Sequence, residues 1–169
     1  MIYGRHGHYD EAVEPLRRAA ALDPDSYEIE HNLGLTYFRL KHYQEAEEPL
    51  ERAVELRPDF FDSNALLGAT LFALQQDSKA YRVLDHAHRL NPDDGDTREL
   101  LFKSASILGI KSREAKDYPA AIKYLRAAEA LKPQSPEVHA RLAVVYGESG
   151  DPRNADIEKR TAERLAGPQ

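Results

Sequence analysis

Small and large apolar residues recur along this chain on a fixed step of 34. Ala12, Leu16 and Ala19 are followed by Ala46, Leu50 and Ala53, then by Ala80, Leu84 and Ala87. Each set falls at i, i+4 and i+7, which is one stripe of an α-helix. A proline follows each stripe, at Pro24, Pro58 and Pro92. It stops the helix, because proline disfavours helical geometry in the residue before it. Between two stripes, Leu33, Gly34, Tyr37, Phe38 and Leu40 recur at helical spacing and predict a first helix from about Asp25 to Leu40. The polar link Lys41-His42 separates it from the second helix. A Leu-Gly pair keeps the same step, at Leu33-Gly34 and Leu67-Gly68. Gly34 and Ala46 are small where the two antiparallel helices cross, and Tyr37, Tyr43 and Leu50 fill the space between them. Helix pairs of this length cannot bury their own apolar faces singly, so the pattern predicts a stacked all-α array.

The period lengthens once. Pro92 to Pro133 is longer than the standard step by seven residues, and the stripe Ala121, Leu125, Ala128 with the pair Leu108-Gly109 places the excess at 95–101. Seven residues are about two turns, which predicts a longer helix from about Thr97 to Lys116, capped by Asp96 or Thr97. Asp117-Tyr118-Pro119 and Asp151-Pro152 put an acidic cap before a proline at the start of two second helices. Pro15 and Pro49 lie deeper in theirs, where each removes one backbone hydrogen bond. The last helix is largely polar, with Lys159 where the other units have leucine, as the outer face of a capping helix requires.

The unit Tyr27 to Phe60 resembles the tetratricopeptide repeat, in the style of its bacterial members. The matching residues are Leu33, Gly34, Tyr37, Ala46, Leu50 and Pro58, with Glu30 in the tryptophan position and Leu50 in place of an aromatic. The next unit matches through Leu67, Gly68, Ala80, Leu84, Ala87 and Pro92. Upstream, Tyr3, Gly7, Tyr9, Ala12, Leu16, Ala19 and Pro24 fit the later part of a repeat. The frame is a partial repeat at 1–26, repeats at 27–60, 61–94 and 102–135 with 95–101 as a helix extension, and a capping repeat at 136–169. The resemblance implies one right-handed superhelical solenoid of antiparallel helix pairs over 1–169.

Composition narrows the function. The formal charge of −6 disfavours nucleic acid, which needs a basic face. The absence of cysteine removes disulfides, thiolate zinc sites and cysteine nucleophiles. No run of about 18 apolar residues predicts a membrane span. A soluble protein of the cytoplasm or periplasm is the expectation. The chain opens inside a repeat, so its start reads as a boundary within a longer protein. No phosphate loop, nucleophile elbow or zinc-protease motif occurs. His86 and His88 would point to different faces of a helix. They and the pair His6 and His8 read as solvated, as do Glu45, Glu47, Glu48, Asp93 and Asp94. No enzyme activity, cofactor or metal site is expected, and the tyrosines read as packing residues.

The same resemblance implies a concave groove lined by the first helices, in which a peptide or partner helix binds. Its lining would be His31, Asn32, Leu35 and Arg39, then Ala69 and Phe72, then Lys103, Ile110 and Arg113. Asn32 is the most specific of these, because an amide offers a donor and an acceptor to an extended backbone. The lysine, asparagine and arginine cluster with which some relatives clamp a terminal carboxylate is not present as a set, and the apolar centre suits an amphipathic helix or hydrophobic segment. The expected function is a non-catalytic interaction scaffold. The alternatives are a recruiting arm of a larger enzyme, such as a glycosyltransferase, and a homodimer formed through the open N-terminal helix at 10–22.

Overall fold

The computed structural model describes residues 8–167, which are helical with no strand among them. Tyr3, His6 and Gly7 lie outside the described residues. Two compact units divide the chain at Thr97 and Arg98, within the first turn of the sixth helix. The first holds α1 (Tyr9–Leu22), α2 (Tyr27–Arg39), α3 (Tyr43–Leu56), α4 (Phe61–Ala73) and α5 (Asp77–Leu90). The second holds α6 (Gly95–Glu114), α7 (Tyr118–Leu131), α8 (Pro136–Glu148) and α9 (Pro152–Ala166). Consecutive helices pack as pairs, α2 with α3 and α4 with α5 in the first unit, and α8 with α9 in the second.

The apolar stripe sits inside these pairs. Leu50, Leu84 and Leu125 are fully buried, as are the alanines on either side of each. Burial of one such leucine stabilises by about 1.5–3 kcal/mol. It is possible only because the facing residue lacks a side chain. A Cβ placed on Gly34 would stand 2.4 Å from Leu50, one on Gly68 2.6 Å from Leu84, and one on Gly109 2.7 Å from Leu125. In the last unit the two members change together: Lys159 replaces the leucine and is exposed, and Ala143 replaces the glycine.

Each pair is closed by the same turn. Lys41, Gln75, Lys116 and Gly150 take left-handed backbone, with φ of 62°, 58°, 59° and 84°. The amide of the following residue reaches back to the carbonyl of Tyr37, Leu71, Ser112 or Tyr146, satisfying a carbonyl the helix leaves open. Only Gly150 adopts this conformation without a Cβ penalty.

The caps at Asp117 and Asp151 are formed as the sequence predicts, on the amides of Ala120 and Asn154. Ser135 caps α8 in the same way. The long helix differs. It starts at Gly95, and Asp94 is the cap, accepting from the Thr97 amide at 2.7 Å. Asp96 and Thr97 therefore lie within the first turn, and Thr97 is buried.

Candidate functional site

The residues that the sequence nominates for a groove lie, in the first unit, on α2 and α4. Leu35 and Ala69 are equivalent residues 34 apart, and both are half-buried, as is Phe72. Arg39 is exposed at the end of α2. The two polar residues have partners of their own. The His31 Nδ1 lies 2.9 Å from Ser63 Oγ on α4, and its ring meets Phe60 edge-on at 5.7 Å. Burial holds its pKa below the usual value, against the pull of Asp62, so the ring is neutral and joins two repeats. Asn32 donates its amide to the Glu28 carbonyl one turn back, at 2.6 Å.

In the second unit Ile110 is half-buried on α6, and Lys103 is exposed with its ammonium 3.5 Å from Glu99. Arg113 makes a two-pronged pair with Glu148 of α8, at 2.9 and 2.5 Å. Its guanidinium links two first helices, and it holds the Glu148 carboxyl below the usual range.

A second polar arrangement occupies one repeat position, three residues before each Leu-Gly or Leu-Ala pair. It carries Glu30, Asn64, Ala105 and His139, all buried. Two of them donate to the carbonyl of the helix-stopping proline six residues earlier: Asn64 to Pro58 at 2.7 Å and His139 Nε2 to Pro133 at 3.1 Å. A glutamate cannot do so when ionised. At Pro24 the donor is Arg52 of α3 instead, at 3.0 Å. His86 supplies a further donor to Pro58 from α5, at 3.2 Å. The His86 side chain keeps 36% of its surface exposed while making this contact. His8 is exposed, 3.3 Å from Glu11.

Some carboxylates outside the runs named above are buried. Glu158 on the polar helix α9 is 4% exposed. It accepts from His139 Nδ1 at 2.7 Å and pairs with Arg126 at 2.7 Å, while Arg126 also holds Glu129 at 2.6 Å. Glu129, His139 and Glu158 bring their ligand atoms within 4.8 Å of one another, close enough to consider a metal. The charge is already balanced. Arg126 binds both carboxylates, and a doubly protonated His139 fits its two acceptors, so a divalent ion would have to displace three charge-assisted bonds. The sequence signal for this network is the repeat register itself, which puts polar residues where the pattern has tryptophan.

Residues 1–59 match the family model described as tetratricopeptide repeat. Over these residues the chain carries tetratricopeptide repeat sequence. Among solved structures, MamA of MSR-1 is 25% identical over 97% of this chain and 90% of its own, with a TM-score of 0.59. MamA of AMB-1 is 24% identical over 99% and 88%, with a TM-score of 0.64. The first tetratricopeptide repeat region of Spaghetti (RPAP3), bound to the HSP90 peptide SRMEEVD, is 29% identical over 63% of this chain and 84% of that one, with a TM-score of 0.59. No curated protein matches. The fold is an all-α solenoid of helix pairs, and family and neighbours together support a protein–protein interaction scaffold.

Proposed function

We propose that the scaffold is non-catalytic and holds a partner peptide or amphipathic helix against the first helices of its repeats. The observation that carries this reading is the half-exposed apolar row of the first unit, with Leu35 on α2 and Ala69 and Phe72 on α4 in repeat register. Ile110 on α6 is its counterpart in the second unit. Apolar residues at register positions on neighbouring helices suit the apolar face of a helical or extended ligand. The RPAP3 neighbour holds an acidic peptide. Here Lys103 and Arg113 already face Glu99 and Glu148, which favours an apolar ligand over a carboxylate tail.

The test is affinity capture from lysate with the wild type and with a variant carrying Asn32→Ala, Phe72→Glu and Ile110→Glu, both checked for folding by thermal melting. A partner retained by the wild type and lost by the folded variant supports the reading. Identical capture by both rejects it.

A second reading, self-association through α1, rests on Leu22, which is 87% exposed, and on Leu16, half-exposed where its repeat equivalents are buried. Light scattering over a concentration series decides it: a mass that rises with concentration in the wild type, and not in Leu22→Ser, is the expected result.

A further inference from the structure

A cavity of about 560 Å³ lies between α1, α2 and α3, within the size range of ligand sites. Glu30 of α2 lines it, only 8% exposed. Leu33, Tyr37 and Pro49 form its walls, and the exposed Glu45 and Glu48 stand at its edge. At about 100° per residue, Asn32, Leu35 and Arg39 fall on the opposite side of α2, so this site is separate from the groove face.

Glu30 occupies the repeat position where Asn64 and His139 find hydrogen-bond partners. Its own carboxylate has no such partner: among the described residues, no side-chain hydrogen bond or ion pair is made by the carboxylates of Glu30, Glu45 or Glu48, and the Glu30 oxygens open onto the cavity. Two arginines also line the cavity, but their guanidinium groups are held elsewhere. Arg52 contacts the Pro24 carbonyl at 3.0 Å, Glu55 at 3.5 Å and Asp25 at 3.8 Å. Arg17 lies 4.0 Å from Glu14. A carboxylate buried without a partner is costly, and a cation that enters relieves the cost. Burial holds the Glu30 carboxyl above the usual range, with Arg52 opposing and Glu48 adding to the shift. These three carboxylates do not converge as Glu129, His139 and Glu158 do, which argues against a metal ion. Separate carboxylates, an aromatic ring and apolar walls suit a long aliphatic stem with a planar cationic head.

We propose that this cavity binds an arginine side chain of a partner protein, its guanidinium meeting Glu30 within and Glu45 or Glu48 at the edge. The site is a second contact surface, on the α1–α3 side of α2.

The probe is a blocked pentapeptide of alanines with a central arginine, titrated into carbon-13-labelled protein while the glutamate carboxyl resonances are followed. The same peptide with citrulline keeps the shape and removes the charge. N-methylguanidine presents the head group alone. The expected result is shifts at Glu30, Glu45 and Glu48, with binding weakened roughly tenfold or more in Glu30→Gln and with citrulline, as for loss of a charge-assisted bond. Glu45→Gln with Glu48→Gln, both at exposed positions, should weaken binding without lowering the melting temperature. Absence of binding, undiminished binding to folded Glu30→Gln, or shifts confined to other glutamates would each overturn the proposal. N-methylguanidine binding as tightly as the peptide would also overturn it, assigning the cavity to a small cation instead.

Discussion

His139 should make the second unit less stable as pH rises through neutrality. Both of its ring nitrogens face groups that only accept, Glu158 Oε2 at 2.7 Å and the Pro133 carbonyl at 3.1 Å. Satisfying both requires the imidazolium. Burial opposes that charge, but the hydrogen bonds from Glu158 and Pro133 and the charges of Glu158 and Glu129 outweigh it, so the pKa stands above its ordinary 6.5. Arg126, which binds both carboxylates, is the neighbouring cation. A pKa raised by folding contributes stability that is complete below the unfolded value and is lost as pH passes through the folded one. The perturbation is His139→Asn, which copies Asn64: an amide there can still donate to the proline carbonyl but no longer carries charge toward Glu158. A hydrogen bond to a charged group is worth about 1.5–3 kcal/mol. Urea melts of wild type and variant from pH 5.5 to 9 should differ by about that amount at the acid end and converge at the alkaline end. Other titrating groups cancel in the difference. A difference that stays constant across the range, or nitrogen-15 shifts showing a neutral ring at pH 6, would refute the reasoning.

Further predictions concern the helix pairs. Gly68→Ala should destabilise by about 1–3 kcal/mol from overpacking against Leu84, and Leu84→Ala in the same chain should offset part of that loss, a coupling that a double-mutant cycle of urea melts will read. Gln75→Gly, at the left-handed turn residue, should stabilise by up to about 1 kcal/mol, measured the same way. Asp117→Ala should cost about 1 kcal/mol through loss of the α7 cap. Glu30→Gln should raise the melting temperature at pH 7 and lose that advantage in acid, because the raised carboxyl pKa makes wild-type stability fall as pH rises.

The fold was legible because its determinants repeat. Gly34 with Leu50, Gly68 with Leu84 and Gly109 with Leu125 are one packing solution written three times, and even its exception, Ala143 with Lys159, changes both members. The polar interior was harder to read. Glu30 at the tryptophan position is visible in the sequence, but its meaning depends on a proline carbonyl six residues upstream and on which helix supplies the donor. Arg52 does so in one repeat, Asn64 with His86 in the next, and His139 in the last. No spacing rule distinguishes these. Glu158 shows the same difficulty: it sits on a helix whose composition is that of a solvated surface, and its burial follows from Arg126 and His139 on two other helices. The α6 cap was displaced to Asp94 for a local reason, since Gly95 enters the helix and moves the first turn upstream. Of the residues proposed to face a ligand, Leu35, Ala69, Phe72 and Ile110 could be placed on their helices from register alone, whereas the internal partners of His31, Asn32 and Arg113 required the folded chain.

The central claim is that the first helices carry the ligand face, and its most direct test is amide hydrogen exchange on the chain with and without the captured partner. The account predicts added protection in α2 and α4 around Leu35, Ala69 and Phe72. Protection confined to α3 and α5, with α2 and α4 unchanged, would contradict it.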